Sequence, residues 1–188
     1  MVKNVILFAS GNGSNVAAIL SHCKNISDIH FPVIVTNNPK AGVIQLAKEN
    51  GIDVLLINKA IFDSAVFLDT LERYQPSLLV LAGFLWRVPA YLIEAFPKQI
   101  INIHPALLPK YGGKGMYGHH VHEAVIANAE KQSGITIHMV NKEYDEGTIL
   151  LQKKVDITPT DTAQTLASKV LALEHEWYVQ VIRNLLQV

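Results

Sequence analysis

Short apolar runs alternate with helical stretches along the first hundred residues. Residues 5–9, 33–36, 54–57, 78–81 and 100–104 lack polar alternation, the pattern of strands covered on both faces. Between them, residues 16–22, 41–50, 64–74 and 89–96 read as helices. This alternation predicts an α/β fold, a doubly wound and mostly parallel sheet with a Rossmann-like amino-terminal half. After residue 110 the pattern changes. A glycine-rich loop and a short helix, about 119–129, lead into two added strands at 134–140 and 149–155. Asp161 then opens a long C-terminal helix, entered through Thr158, Pro159 and Thr160. No repeat or linker divides the chain, so residues 1–188 are expected to form one domain.

Composition narrows the partners. A chain of 188 residues, 49% hydrophobic, buries about two-thirds of its unfolded surface around one core. Sixteen basic residues balance sixteen acidic ones without a run of like charge. There is thus no electrostatic footprint for nucleic acid or an anionic membrane, and small molecules are the expected partners. Any anionic ligand must be held locally. Cys23, the single cysteine, cannot form an internal disulfide and reads as a reduced core thiol. Met1-Val2-Lys3-Asn4 carries no cleavable signal pattern, and nothing approaches the ~20 apolar residues that span a bilayer. A cytoplasmic location is the expectation. No sequence feature specifies an oligomeric state.

The most informative segment is Asn102-Ile103-His104-Pro105-Ala106-Leu107-Leu108-Pro109, joined much later by Asp145-Glu146-Gly147. Residues two apart on a strand share a face, so Asn102 and His104 project together. Pro105 and Pro109 cannot continue a central ladder, so the strand ends at His104 and turns into a loop. Open α/β sheets bind ligands beyond the carboxyl ends of their strands. An amide, an imidazole and a carboxylate can share such a site. A tight turn at Leu108-Pro109 makes a cis peptide the expectation there.

Ser10-Gly11-Asn12-Gly13-Ser14-Asn15 lies between the first strand and first helix. Glycines allow close backbone approach, and free N–H groups at a helix N-terminus attract phosphate. A dinucleotide fingerprint fits poorly, since Val16 stands where a third glycine is expected and no acidic residue ends the second strand. The other reading is a plain β-α turn with Ser14 or Asn15 capping the helix.

Gly11-Asn12-Gly13-Ser14-Asn15, Ala82-Gly83-Phe84, Asn102 through Pro109 and Asp145-Glu146-Gly147 together resemble the phosphoribosylglycinamide formyltransferase family, folate-dependent enzymes of purine synthesis. The match is collinear over essentially the whole chain. The resemblance implies that 10-formyltetrahydrofolate, the co-substrate, donates its formyl group to the glycyl amine of glycinamide ribonucleotide, with Asn102, His104 and Asp145 catalytic. It also implies that Gly13, Ser14 and Asn15 hold the phosphate and that Glu174 binds ribose hydroxyls; read alone, Glu174 is equally a solvated charge on a long helix. Folate is expected between Leu85, Trp86, Arg87 and Val88 on one side and Asn141, Lys142, Glu143, Tyr144 and Asp145 on the other, with Asn102 at its reactive end. On this reading residues 1–110 form a phosphate-binding half, and 111–188 complete the folate site.

The residue types suit the reaction. Amine attack on a formyl carbon makes a tetrahedral species with negative oxygen and positive nitrogen. Asn102 can donate to the oxyanion, a protonated His104 can add charge or deliver a proton, and Asp145 can hold His104 protonated and accept the amine proton. Several features depart from the family. Leu85-Trp86-Arg87 stands where a Met-Arg pair often follows Gly-Phe, the loop 111–118 is longer than in many members, and Ala106 replaces a common serine. His119, His120 and His122 lack metal-ligand spacing, so no metal is expected. His138 either faces the site or is a buried, hydrogen-bonded histidine. The rival readings are a formyltetrahydrofolate hydrolase and a non-catalytic module that binds a phosphorylated metabolite.

Overall fold

The computed structural model describes residues 2–188. The chain runs β1 (Lys3–Phe8), α1 (Ser14–Cys23), β2 (Ile29–His30), β3 (Val33–Thr36), α2 (Val43–Glu49), β4 (Asp53–Leu56), α3 (Lys59–Phe62) and α4 (Ala65–Glu72). It continues through β5 (Pro76–Leu81), α5 (Ala90–Ala95), β6 (Ile100–His104), α6 (His119–Ala127), β7 (Gln132–Met139), β8 (Ile149–Asp156) and α7 (Ala163–Leu186). One sheet of eight strands has the order β4-β3-β1-β5-β6-β7-β8, with β2 also pairing with β1. Pairings among the first six strands are parallel, while β7 and β8 run antiparallel. This is the expected doubly wound sheet with added C-terminal strands and a long final helix.

Alternation along each strand builds two cores. Val5, Leu7, Ile101, Ile103, Ile135 and Ile137 face α1 and α7. Ile6, Phe8, Leu79, Leu81 and Ile100 face the opposite layer, packed on Phe62, Phe67, Leu92 and Phe96. Two-sided burial fails at the edge: Asp53 is exposed and Leu56 is 48% exposed on β4, which has a strand on one side only. The last helix begins at Ala163 instead of Asp161 because Thr162 and Thr165 bond reciprocally as a capping box. Asp161 instead accepts from Thr158 and Lys169 ahead of it. β2 and α3, absent from the sequence reading, are two and four residues long, too short to show a period.

Candidate active site

β6 delivers the central pair. Ile101 and Ile103 are held in the α1–α7 core, so Asn102 and His104 point to the other face, and the ladder stops where Pro105 has no N–H to give. In the antiparallel register Asn102 lies directly opposite His138, the closest relationship two strands offer. Asp145 comes in from the β7–β8 connection. Its Oδ2 stands 3.5 Å from His104 Nδ1, and its Oδ1 stands 3.5 Å from Asn102 Nδ2 and 3.6 Å from His138 Nε2.

Backbone carbonyls fix the tautomers, because a carbonyl can only accept. His104 Nε2 is 2.7 Å from the Tyr111 oxygen and must carry a hydrogen, which leaves Nδ1 turned to Asp145. His138 Nδ1 donates likewise to the Met139 oxygen at 2.9 Å, so Nε2 accepts from Asn102 Nδ2 at 3.2 Å. Asp145 also accepts from the Gly113 N–H at 2.9 Å. Of this group, the sequence reading left His138 open and gave no role to the Gly113 amide or the Tyr111 carbonyl.

The Asp-Glu-Gly motif is a backbone device as well as a carboxylate. Asp145 adopts φ +56°, a left-handed conformation that aspartate tolerates better than most residues. At Gly147 an added Cβ would lie 1.6 Å from the Met139 oxygen, so only glycine lets the connection return against β7. The loop after His104 is fastened from below. Thr136 Oγ1 donates to the Ala106 oxygen at 2.7 Å and accepts from the Leu108 N–H at 3.0 Å, and Gln152 Nε2 donates to the Leu108 oxygen. The Leu108-Pro109 bond is cis, as expected.

Burial decides the resting charges. His104 is 3% exposed, and loss of hydration pushes its imidazole below the ordinary histidine range despite the opposing pull of Asp145 and the Tyr111 carbonyl. Burial thus favours the neutral imidazole at rest, against the protonated His104 of the sequence reading. Burial also works against the Asp145 carboxylate, but the neighbouring His138 and His104 rings and the Gly113 N–H outweigh it, and the acid is held below its ordinary range.

These groups open into a cavity of about 630 Å³. Leu85, Trp86, Arg87 and Val88 line one wall, and Asn141, Glu143, Tyr144 and Asp145 another. Lys142 is not in the wall; its ammonium pairs with Glu94 at 2.6 Å, outside. Trp86 packs against Phe62 and Phe84, with ring centroids 5.6 and 6.1 Å away, which anchors the loop in the core.

At the other end lie Asn15 and Glu174. The solvated reading of Glu174 is corrected: α7 packs over α1, the carboxylate is 8% exposed, and its Oε2 accepts from Asn15 Nδ2 at 2.7 Å. Desolvation pushes its pKa up to about 7, against the Asn15 hydrogen bond. Asn15 Oδ1 is buried without a partner. Gly13 and Ser14 stand outside the cavity wall, at the start of α1. The capping alternative for Ser14 and Asn15 is not realised. Gly13 is the N-cap at φ +79°, no side chain bonds the helix end, and no acidic residue lies in the first turn. The N-terminus of α1 thus keeps its positive end open to an anion.

His119 and His120 contact Glu123 at 3.3 and 3.4 Å, while His122 is buried. Among the described residues no group of three or more His, Cys, Asp or Glu side chains is arranged to hold a metal ion. Among the same residues no helix is long and apolar enough to cross a membrane.

The fold and site define an α/β protein with an amide–imidazole–carboxylate cluster at the carboxyl end of its sheet. Residues 3–182 match the formyl transferase family model, and the chain belongs to that family. It is 35% identical to the phosphoribosylglycinamide formyltransferase of Bacillus subtilis, over 98% of this chain and 95% of that protein. It is 43% identical to the chloroplastic phosphoribosylglycinamide formyltransferase of Arabidopsis thaliana and spans 64% of that longer protein, and 61% of the cowpea (Vigna unguiculata) one. Among solved structures, the phosphoribosylglycinamide formyltransferase of Bacillus halodurans superposes with a TM-score of 0.89 at 33% identity, covering 98% of this chain and 95% of that one.

Proposed function

We propose that this protein transfers the formyl group of 10-formyltetrahydrofolate to the glycyl amine of glycinamide ribonucleotide, a step of purine synthesis. The observation that carries the reading is the convergence of Asn102, His104 and Asp145 on one cavity that also reaches Asn15 and Glu174. The open N-terminus of α1, with Gly13, Ser14 and Asn15, takes the ribonucleotide phosphate. Glu174 accepts from the ribose hydroxyls, and the unpartnered Asn15 Oδ1 offers a further acceptor beside it. The pterin lies between the 85–88 and 141–145 walls, where backbone groups match its donor and acceptor edge. On this reading residues 1–110 supply the phosphate half and 111–188 complete the folate half. Both substrates are water-soluble, and the cytoplasm is the proposed compartment.

The amine nitrogen attacks the formyl carbon and the carbonyl electrons move to oxygen. One hydrogen of Asn102 Nδ2 is committed to His138; the other faces Asp145 at 3.5 Å, a contact long enough to be exchanged for the oxyanion. Neutral His104 presents the Nδ1 lone pair and accepts the proton shed by the amine, and the imidazolium is stabilised by Asp145 beside it. As the oxyanion collapses, the carbon–N10 bond breaks and the imidazolium returns its proton to N10, yielding tetrahydrofolate and the formylated amide. The test is turnover with both substrates. Formyl transfer that requires the ribonucleotide supports the reading, whereas formate release without it favours the hydrolase.

A further inference from the structure

The connection that carries Asp145 is held from across the cavity. Arg87 Nη2 donates to the Lys142 carbonyl and lies 3.5 Å from Glu143 Oε2, and its guanidinium carbon sits 5.6 Å from the centre of the Tyr144 ring. Lys142 Nζ reaches Glu94 Oε1 of α5 at 2.6 Å. Three consecutive residues immediately before Asp145 are thus gripped by one side chain of the 85–88 wall. Each contact is half-exposed and weak alone. They converge on a segment that must hold Asp145 at φ +56°, a conformation that persists only where the surroundings over-determine it. Gly147 fixes the far side of that residue against Met139. The near side has no ladder, and Arg87 takes its place.

We infer that Arg87 is a positioning residue: a strap across the cavity mouth that fixes the backbone of residues 142–144, so that the Asp145 carboxylate stays between His104 and His138. Its guanidinium is spent on the opposite loop, while the folate wall keeps only its backbone and stem. A lysine at this position supplies charge to Glu143 but not the planar fork that meets a carbonyl, a carboxylate and a ring together. The catalytic consequence rests on the formyl-transfer reading; the strap itself does not.

Two measurements separate these. Amide hydrogen exchange on the substrate-free protein, wild type against Arg87→Ala and Arg87→Lys, reads the strap directly. Exchange across residues 142–146 is expected to quicken roughly tenfold in Arg87→Ala, less in Arg87→Lys, with β6 unchanged. Unaltered exchange across 142–146 would overturn the strap. Steady-state kinetics then read positioning: kcat is expected to fall roughly tenfold in Arg87→Ala, with KM for the ribonucleotide unchanged and part of kcat restored in Arg87→Lys. Faster exchange with an unchanged kcat would overturn the positioning role. A wild-type protein that turns over neither substrate would sink the formyl-transfer reading and leave the exchange result standing.

Discussion

Glu174→Gln isolates the cost of a buried carboxylate, because the amide keeps the shape and still accepts from Asn15. An ordinary glutamate ionises near 4.5, and this one near 7. Between those values the unfolded chain has released a proton that the native chain retains, so native stability declines as pH rises from about 4.5 to 7 and is level above. At 1.36 kcal/mol per tenfold change in proton affinity, the decline attributable to Glu174 is about 3 kcal/mol. The glutamine variant does not titrate and escapes it. Urea unfolding at pH 5, 6, 7 and 8 is therefore expected to show the variant gaining about 2.5 kcal/mol on the wild type across that range. The same substitution removes the acceptor proposed for the ribose hydroxyls, so KM for the ribonucleotide is expected to rise. Ribose donors favour the ionised form, so binding near pH 7 is expected to release protons in the wild type only, read by calorimetry in buffers of different ionisation enthalpy. A stability difference that stays flat with pH would refute the reasoning.

Three further outcomes are expected. His104→Ala should fold and lose kcat far more than affinity; in the wild type the rate should fall with acid through a pKa below 6.5, and Asp145→Asn, by removing the charge that pulls that value up, should move the acid limb lower still, read from pH–rate profiles. Gly147→Ala drives a methyl into the Met139 oxygen and should cost about 3 kcal/mol or more in chemical denaturation. Gly11 has open space around its missing Cβ, whereas a side chain at Gly13 would strike Val43 at 2.7 Å. Gly11→Asp is thus the clean probe of the proposed phosphate cradle, and calorimetry should find ribonucleotide binding lost with folate binding retained.

The fold was largely legible because its information is local. The run at 100–104 coincides with β6, and the strand-ending prolines follow from the chemistry of a missing N–H. Asn102 and His104 could be placed on one face by parity alone. What parity cannot supply is the partner across the ladder: His138 enters the cluster through a register that joins residues 36 apart. Glu174 was misread in isolation because its environment is α1, 159 residues earlier in the chain. The charge of His104 needed burial, which no spacing reveals. The Gly113 amide and Tyr111 carbonyl act through the backbone, where residue identity carries little signal.

Tyr178 sits fully buried on α7 with its hydroxyl 2.9 Å from the Leu81 oxygen and 3.2 Å from the Ile101 oxygen. The Leu81 carbonyl closes β5, and Ile101 is the second residue of β6, beside the last β5–β6 pair, Leu81 with Asn102. A ribosome therefore finishes the strands that bear Asn102 and lead to the 85–88 wall long before it makes the hydroxyl that bonds these two acceptors. The amino-terminal sheet can assemble as it emerges, but the floor of the candidate site stays open until residue 178 has left the exit tunnel and α7 has docked. The arrangement of the site thus waits on α7, and a nascent protein halted before that helix would hold Asn102 and His104 without the means to keep them in place.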